Sequence, residues 1–320
     1  MEQISSRQFI SFLLLCAAML SANVARAAEG TILPPPTRVT PHLYAWIGPH
    51  GGPNPQNKGF RMNMGFVVGK DAVAVIETGY YEPMAREMLA YIAKITKAPV
   101  KYVINTNSQP DRFLGNETFR RQGATVITSA AEAKRMAAMG FMFAQMNEPL
   151  LGLKPGSIEI PGPADRILEG GAELDLGDLK ITLHQFGAAH TPGPLVVHIP
   201  KDKAVYAGDI LYSGRLPAVI DGGNVKSWIA VFDKLRGFGD VIFVPGHGKP
   251  APLSAFEFST HSYLSLLHKH MENALKQGMD QQVAMKTLDQ SGFAKLANFP
   301  ELAGRNASFA YLEAEAESFK

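Results

Sequence analysis

The chain has 320 residues, of which 46% are hydrophobic and 19% charged, and its formal net charge is +2. This length can bury a sizeable core, and a near-neutral chain without a basic cluster argues against a nucleic-acid partner. Cys16 is the only cysteine and lies within the first 27 residues. The remaining chain therefore cannot form a disulfide, a thiolate metal site or a cysteine nucleophile.

The first 27 residues have the layout of a secretory signal peptide. Arg7 lies in a short polar lead, an apolar run covers residues 9–20, and Ala25-Arg26-Ala27 supplies the small residues of a cleavage site. The apolar run is shorter than the roughly 20 residues that span a bilayer. We therefore expect an exported, periplasmic protein that is cleaved after Ala27 and has no membrane span in its mature chain.

The first half of the mature chain mixes strands and helices. Residues 28–40, with prolines at 34–36, predict an extended linker. A Gly-, Pro- and Asn-rich loop at 48–59 is long enough to arch over a site. Apolar β-rich runs predict strands, and helical periodicity predicts helices. The strands are expected at 43–47, 64–68, 72–76, 100–104 and 125–128, and the helices at 82–97, 113–121 and 130–147.

A second mixed set follows the Pro- and Gly-rich residues 149–163. Strands are expected at 179–185, 195–199, 204–207 and 241–244, and helices at 225–235, 255–277, 281–288 and 302–317. The two sets show no sequence repeat and no flexible linker between them. We therefore predict one domain over 41–320, with a core at about 41–250 and C-terminal helices at 254–317.

Four strand ends run into loops that carry polar, ligand-type side chains. The strand at 100–104 leads into residues 107–112, and the other three loops contain His190, Asp209 and His247. Loops at the ends of strands are where sites are usually built. Each loop has a simple structural alternative, since a Gly-Asp pair is usually a turn and Asp111 could cap a helix.

The order of these motifs resembles the metallo-β-lactamase-fold superfamily over about residues 39–248. The matching tracts are Glu77-Thr78-Gly79, the 107–112 segment, His190-Thr191-Pro192-Gly193, Gly208-Asp209 and Pro245-Gly246-His247-Gly248. Among its members, the chain is most similar to exported proteins associated with sulfur oxidation and quinoprotein systems. The resemblance implies an α/β fold, a single-domain αββα sandwich with the site at one edge between two sheets.

In this superfamily a His-x-His-x-Asp-His motif, together with later His and Asp residues, holds two zinc ions. The resemblance assigns metal-ligand roles here to Asp111, His190, Asp209 and His247. Three positions depart from the pattern, each where the superfamily has histidine: Asn107, Gln109 and Arg112.

These departures weaken the predicted zinc site. Asn107 and Gln109 offer neutral amide oxygens, and the guanidinium of Arg112 has no acceptor and cannot deprotonate. Arg112 could instead replace the second metal as the counter-ion of Asp111 and Asp209. Three outcomes remain open: one zinc at Asp111, Asp209 and His247, a calcium or magnesium ion on oxygen ligands, or no metal.

Two functional hypotheses follow. In the first, the protein hydrolyses a small ester, thioester or amide, with Asp111 and Asp209 as the catalytic carboxylates around one metal. Asn107 or Gln109 would then orient the substrate. In the second, a non-catalytic protein binds a small-molecule ligand or a partner in the former active-site cleft. Arg215, after Gly214, is a candidate contact for an anionic substrate, with a structural salt bridge as the alternative.

Overall fold

The computed structural model describes residues 30–319, so the expected signal peptide lies outside the described residues. Two β-sheets form the centre of the molecule. The first sheet contains, in spatial order, Thr37–Arg38 (β1), Leu43–Trp46 (β2), Met64–Val68 (β3), Val73–Ile76 (β4), Val100–Ile104 (β5), Thr125–Ser129 (β6) and Arg166–Leu168 (β7). The second contains Ile242–His247 (β12), Ala204–Tyr212 (β11), Leu195–Ile199 (β10), Lys180–Gln185 (β9) and Ala172–Asp175 (β8).

The α-helices follow or connect these strands. They are Glu82–Ile95 (α1), Pro110–Phe113 (α2), Asn116–Arg120 (α3), Ala130–Leu150 (α4), Val225–Leu235 (α5), Tyr263–Lys276 (α6), Gln281–Thr287 (α7) and Phe299–Ser318 (α8). Short 3-10 turns occur at Pro200–Asp202, Arg236–Phe238, Leu253–Phe256 and Ser291–Phe293, and a π-helical turn at Glu257–Ser262 precedes α6. Among residues 30–319, no helix combines the length and apolar character that crossing a bilayer requires.

Strand direction follows from these connections. β1 to β4 pair antiparallel, whereas β4 to β7 pair parallel. The parallel strands are joined by α1, by α2 with α3, and by α4, as expected because a parallel connection needs a crossover. In the second sheet only β11 and β12 are parallel, and α5 lies in the connection between them.

Three apolar cores hold the layers together. Val67 and Ile104 of the first sheet pack with Leu183 and Val197 of the second, so one core lies between the sheets. Another core joins the first sheet to helices α1, α3 and α4. A third joins the second sheet to α5, α6, α7 and α8. This is the αββα sandwich that the sequence predicts, with helices on both outer faces.

The structure differs from the sequence prediction at the start of the domain. The residues predicted as a linker contain β1, and Leu33 is buried. The backbone N–H groups of Ile32 and Leu33 donate to the Glu87 carboxylate, and Trp46 donates to the carbonyl of Pro34. These tertiary contacts have no local sequence signal. The short strands β7 and β8 were not predicted either, because three or four residues carry too little periodicity.

Candidate functional site

One cavity of about 340 Å³ collects the residues singled out in the sequence. It is lined by segments that follow β5, β9 and β11, by residues of β11 and the last residue of β12, by the loop before β3, and by α8. Of the eight predicted site residues, all line it except Asn107, which is fully buried behind Asp209. Pockets of this size hold small molecules.

The loop after β5 aims Arg112 into the site. Pro110 begins α2, and the carbonyl of Arg112 accepts hydrogen bonds from the Asn105 side chain (2.8 Å) and the Thr78 backbone (2.9 Å). The N-cap of α2 is Gln109, so Asp111 lies inside the first turn and does not cap this helix. The backbone is thus held at Arg112 itself, leaving its side chain to point inward.

Arg112 makes a bidentate ion pair with Asp209. Its Nη2 lies 2.7 Å from one carboxylate oxygen, and its Nε lies 3.0 Å from the other. Both side chains are buried, and Asn107 Nδ2 donates to Asp209 at 2.8 Å. Burial lowers the pKa of Arg112, but the charges of Asp209 and Asp111 outweigh it and raise the pKa well above its ordinary value. The guanidinium is therefore permanently charged.

The Asp209 carboxylate is ionised as well. Burial raises its pKa, but the charge of Arg112 lowers it, and the net pKa lies below the ordinary value. Asp111 lies beside the same cation, 3.5 Å from Arg112 Nε, and accepts from Arg61 Nη1 at 3.2 Å. Two arginines thus neutralise the two carboxylates that the sequence assigned to metal.

Two glycines allow Asp209 to reach this position. Gly208 has φ +54°, and a Cβ there would lie 2.6 Å from Thr106 Oγ1. On the neighbouring strand, a Cβ at Gly246 would lie 2.2 Å from an Asp209 carboxylate oxygen. The register of β11 against β12 shifts on both sides of Gly208. Such an irregularity re-aims a side chain, and here it turns Asp209 toward Arg112.

Glu132 ties two of the site loops together. Ser129 caps α4 by accepting from the Glu132 backbone, while the Glu132 carboxylate accepts from the backbone of Ser108 (2.8 Å) and of Gly193 (2.7 Å). The spacing of Ser129 and Glu132 is that of a capping box, in which the acid normally reaches back to its own helix end. Here it instead joins the loop after β5 to the loop that carries His190.

His190 and His247 are both buried and neutral. Burial lowers the pKa of each, and the charge of Arg215 lowers that of His247 further. His190 Nδ1 lies 2.7 Å from the Ala218 carbonyl and His247 Nδ1 lies 3.1 Å from the Arg61 carbonyl. Since a carbonyl only accepts, each Nδ1 carries the proton and each Nε2 is an acceptor. His247 Nε2 lies 3.5 Å from Arg112 Nη2.

Arg215 is a buried cation without a carboxylate partner within 4.0 Å in the described part of the chain. Its Nε donates to the Leu216 carbonyl, and its guanidinium lies 5.5 Å from the centre of the Tyr212 ring. Nη1 lies 3.3 Å from His247 Nδ1, which already carries a proton and has no lone pair to offer. Burial lowers the pKa of Arg215 to about 10, so the group is still charged at neutral pH.

The residues present do not fit a metal at the predicted ligand set. Arg112 contacts Asp209, Asp111 and His247, so its charge lies among the three side chains expected to hold one zinc. A positively charged group in contact with every donor competes directly with a cation. Between Gly30 and Phe319, no group of three or more His, Cys, Asp or Glu side chains has an arrangement suited to a metal ion.

Several cavity residues were missed by sequence reasoning. Arg61 follows the Gly- and Pro-rich loop that was expected to arch over a site, and Gly51 to Pro53 of that loop do line the cavity. Glu301 and Arg305 come from α8, nearly 200 residues from Asp111 in the chain. No local signal marks them, because only the packing of α8 against α6 and the segment after β11 brings them to the cleft.

Glu77 lies behind the site, with no exposed surface. It has a φ of +65°, a conformation that non-glycine residues rarely adopt. Its carboxyl contacts the hydroxyl of Thr106, and the Thr106 backbone donates to it at 3.2 Å. Burial raises the pKa of Glu77 to about 8, against the opposing charge of Arg112. Glu77 is therefore largely protonated at neutral pH.

Comparison with known proteins places this architecture. Residues 58–247 match the family model described as the metallo-beta-lactamase superfamily. A linear primary-alkylsulfatase from Pseudomonas sp. is 22% identical over 214 residues, which is 56% of this chain and 40% of the relative. A metallo-beta-lactamase type 2 from Bacillus cereus is 23% identical over 184 residues, 55% of this chain and 63% of the relative. The chain thus spans less than two thirds of either relative.

Solved structures share the fold at low sequence identity. A metallo-beta-lactamase from Pontibacter korlensis has a TM-score of 0.57 and 21% identity, covering 72% of this chain and 98% of that one. A stereoselective inverting sec-alkylsulfatase from Pseudomonas sp. has a TM-score of 0.65 and 14% identity, covering 86% of this chain and 49% of that one. The match to the family model ends at His247, so α8 and its cavity residues lie beyond it.

The close approach of Gly246 to Asp209 predicts the effect of adding a methyl group. Gly246→Ala should lower the free energy of unfolding by about 1–3 kcal/mol or more, because the Cβ overlaps the Asp209 carboxylate. Gly304→Ala, in α8 with no atom within 4 Å of the added Cβ, should stabilise by up to about 1 kcal/mol. Urea denaturation measures both; equal effects would contradict the close packing.

The Arg112–Asp209 pair predicts strong non-additivity. Arg112→Met leaves Asp209 buried without its cation and should cost about 3–5 kcal/mol of unfolding free energy. Combining it with Asp209→Asn should recover part of that loss, since no buried charge of this pair then remains. Chemical denaturation of both single variants and the double variant at pH 7 gives the coupling. Losses that simply add would show that the pair is not coupled.

Glu77 predicts a pH dependence of stability. Its folded pKa of about 8 lies above the unfolded value of 4.5, so its contribution is fully present below pH 4.5 and is lost as pH rises through about 8. The loss should approach about 1.4 kcal/mol per pH unit within that window. In Glu77→Gln the slope between pH 5 and 8 should be smaller than in the wild type. Parallel stability profiles for the two proteins would exclude this role of Glu77.

Proposed function

The chain belongs to the metallo-β-lactamase superfamily, and we propose that it is a metal-independent binding protein whose cleft takes a small anionic ligand. The observation that carries the proposal is the bidentate contact of Arg112 with Asp209. This contact supplies the positive charge that balances Asp209. A guanidinium cannot act as a Lewis acid on a bound water, so it preserves the charge of a metal site without its hydrolytic chemistry.

The distribution of charge in the cleft supports an anion as the ligand. Arg112 is paired with Asp209, and Arg61 is paired with Asp111. Arg215 has no such partner among the described residues, while α8 adds one cation, Arg305, and one exposed carboxylate, Glu301. A buried cation lacking its own counter-ion is costly, and an anionic group of the ligand would remove that cost. The two neutral histidines add no positive charge.

The relatives are compatible with this ligand class. By their names, two of them act on alkyl sulfates, which carry a sulfate group. A sulfate, sulfonate or carboxylate matches the planar, multiply donating guanidinium of Arg215. The likeness to these enzymes is a likeness of fold, and sites on one fold serve different functions. We therefore infer from these relatives only that the ligand carries an anionic group, and we infer no hydrolytic activity from them.

The competing hypothesis is hydrolysis of a small ester, thioester or amide with one metal held by Asp111, Asp209 and His247. It requires the Arg112 side chain to leave both carboxylates so that the metal can take its place. Removing a guanidinium from a buried bidentate pair is costly. A stoichiometric metal content after exposure to zinc and removal of the excess would favour this hypothesis over ours.

Sulfate titration in the presence of a chelator tests the proposal. We expect saturable binding of inorganic sulfate, measured calorimetrically in EDTA with chloride at matched ionic strength as the reference. Arg215→Gln should weaken binding by about 10- to 100-fold, as expected for loss of charge-assisted hydrogen bonds. Arg236→Gln, a matched substitution of a half-exposed arginine outside the cleft, should leave binding unchanged. Binding that appears only with added zinc would overturn metal independence.

A further inference from the structure

Besides the unpartnered arginine, the cavity contains a second polar group with an unused hydrogen-bonding atom, the imidazole of His190. His190 is 3% exposed, and its Nδ1 proton is committed to the Ala218 carbonyl. Its Nε2 has no hydrogen-bond partner among residues 30–319. This atom is not among those sealed from solvent, so it is open to the cavity. Because His190 lines the cavity, this free lone pair is an acceptor available to a ligand.

His190 and Arg215 converge on one aromatic ring. The His190 ring centre lies 6.1 Å from that of Tyr212, and the Arg215 guanidinium carbon lies 5.5 Å from it. All three residues line the same cavity. The two groups therefore border one region of the cavity, beside Tyr212, where a ligand can turn one end toward each. The two contacts have opposite demands, since the guanidinium only donates and the Nε2 lone pair only accepts.

The charges around His190 decide which donor suits it. Arg112 lies in the same cavity, and the nearest carboxylate of the site, Asp209, is already bound by both arms of that guanidinium. An ammonium group placed here would meet the charge of Arg112, and Asp209 is already bound; the other unpaired carboxylate that lines the cavity, Glu301, is exposed on α8. A hydroxyl group donates one hydrogen bond and carries no charge, so it avoids this repulsion.

We propose that the ligand is a small hydroxy-substituted anion, with its anionic group on Arg215 and its hydroxyl donating to His190 Nε2. The inference rests on the proposed function, since it adds a second contact to the same metal-independent cleft. It assigns to His190, which the sequence marked as a metal ligand, the role of selecting ligands by a hydrogen bond. Gln109 also lines the cavity and adds a further polar residue to it.

A matched series of two-carbon sulfonates tests this selection. The probes are ethanesulfonate, 2-hydroxyethanesulfonate and 2-aminoethanesulfonate, which differ only at the terminal group. In calorimetric titrations of the wild-type protein in EDTA at pH 7.5, the hydroxy probe should bind about fivefold tighter than ethanesulfonate, the gain of one neutral hydrogen bond. The amino probe should bind more weakly than the hydroxy probe.

The variant His190→Phe keeps an aromatic ring of similar size beside Tyr212 and removes the acceptor. It should lose the preference for the hydroxy probe, so that 2-hydroxyethanesulfonate and ethanesulfonate bind this variant with equal affinity. In wild-type protein labelled with ¹⁵N-histidine, the Nε2 resonance of His190 should shift with the hydroxy probe and not with ethanesulfonate, a readout that a purely structural role would not produce.

The outcomes separate this inference from the function on which it rests. If all three sulfonates bind equally, the hydroxyl contact is wrong and the anion-binding function stands. Tightest binding of the amino probe would replace the hydroxyl by an ammonium group and overturn the proposal as stated. If none of the sulfonates binds, the proposed function itself fails. The comparison among probes uses the wild-type protein, so it remains decisive even if His190→Phe does not fold.

Discussion

The buried ion pair between Arg112 and Asp209 is the constraint around which the rest of the site is arranged. Each charged side chain is buried, so each depends on the other to offset its loss of hydration. Their bidentate geometry also fixes the direction of both side chains. Asn107 completes the shell of Asp209, while Asn63 accepts from the third arm of the guanidinium at 2.9 Å. The buried Asp209 carboxylate requires a positive charge beside it. A metal ion would supply that charge as a cofactor, whereas Arg112 supplies it from the chain itself.

The surrounding scaffold meets that requirement through backbone features more than through the charged residues themselves. Gly208 allows β11 to approach Thr106 in the loop after β5, and Gly246 allows β12 to approach Asp209. Glu132 holds the loop after β5 and the loop before β10 in one geometry, because its two carboxylate oxygens each bind a backbone N–H from a different loop. Glu77 contributes from behind in its protonated form, which adds no second negative charge near Asp209. Pre-organisation of this kind keeps a polar site rigid within an apolar sandwich.

With its carboxylates neutralised in this way, the cleft has surplus donors and a free acceptor. Arg215 supplies the donors, and His190 Nε2 supplies the acceptor, both against the ring of Tyr212. The other wall belongs to α8, beyond the end of the family match at His247. In the proposed function, ligand selection depends on residues at the superfamily's motif positions, and on a helix that the motif does not include. Both features concern binding, in a chain that keeps the fold of this superfamily.

The sequence alone indicated a mixed α/β fold and a set of candidate site residues. The order of its motifs resembles a superfamily whose fold is the αββα sandwich, and seven of the eight candidate residues line one cavity, because loops at strand ends meet at one edge of the sheets. The sequence also identified Arg112 as a cation near Asp111. Only the tertiary structure decided that Arg112 pairs with Asp209 in both arms, that Arg61 neutralises Asp111, and that α8 closes the cleft. These depend on distances between residues far apart in the chain, and no local pattern encodes such distances. The free lone pair of His190 also depends on the tertiary structure, because the tautomer of the imidazole is set by the Ala218 carbonyl, 28 residues away in the chain.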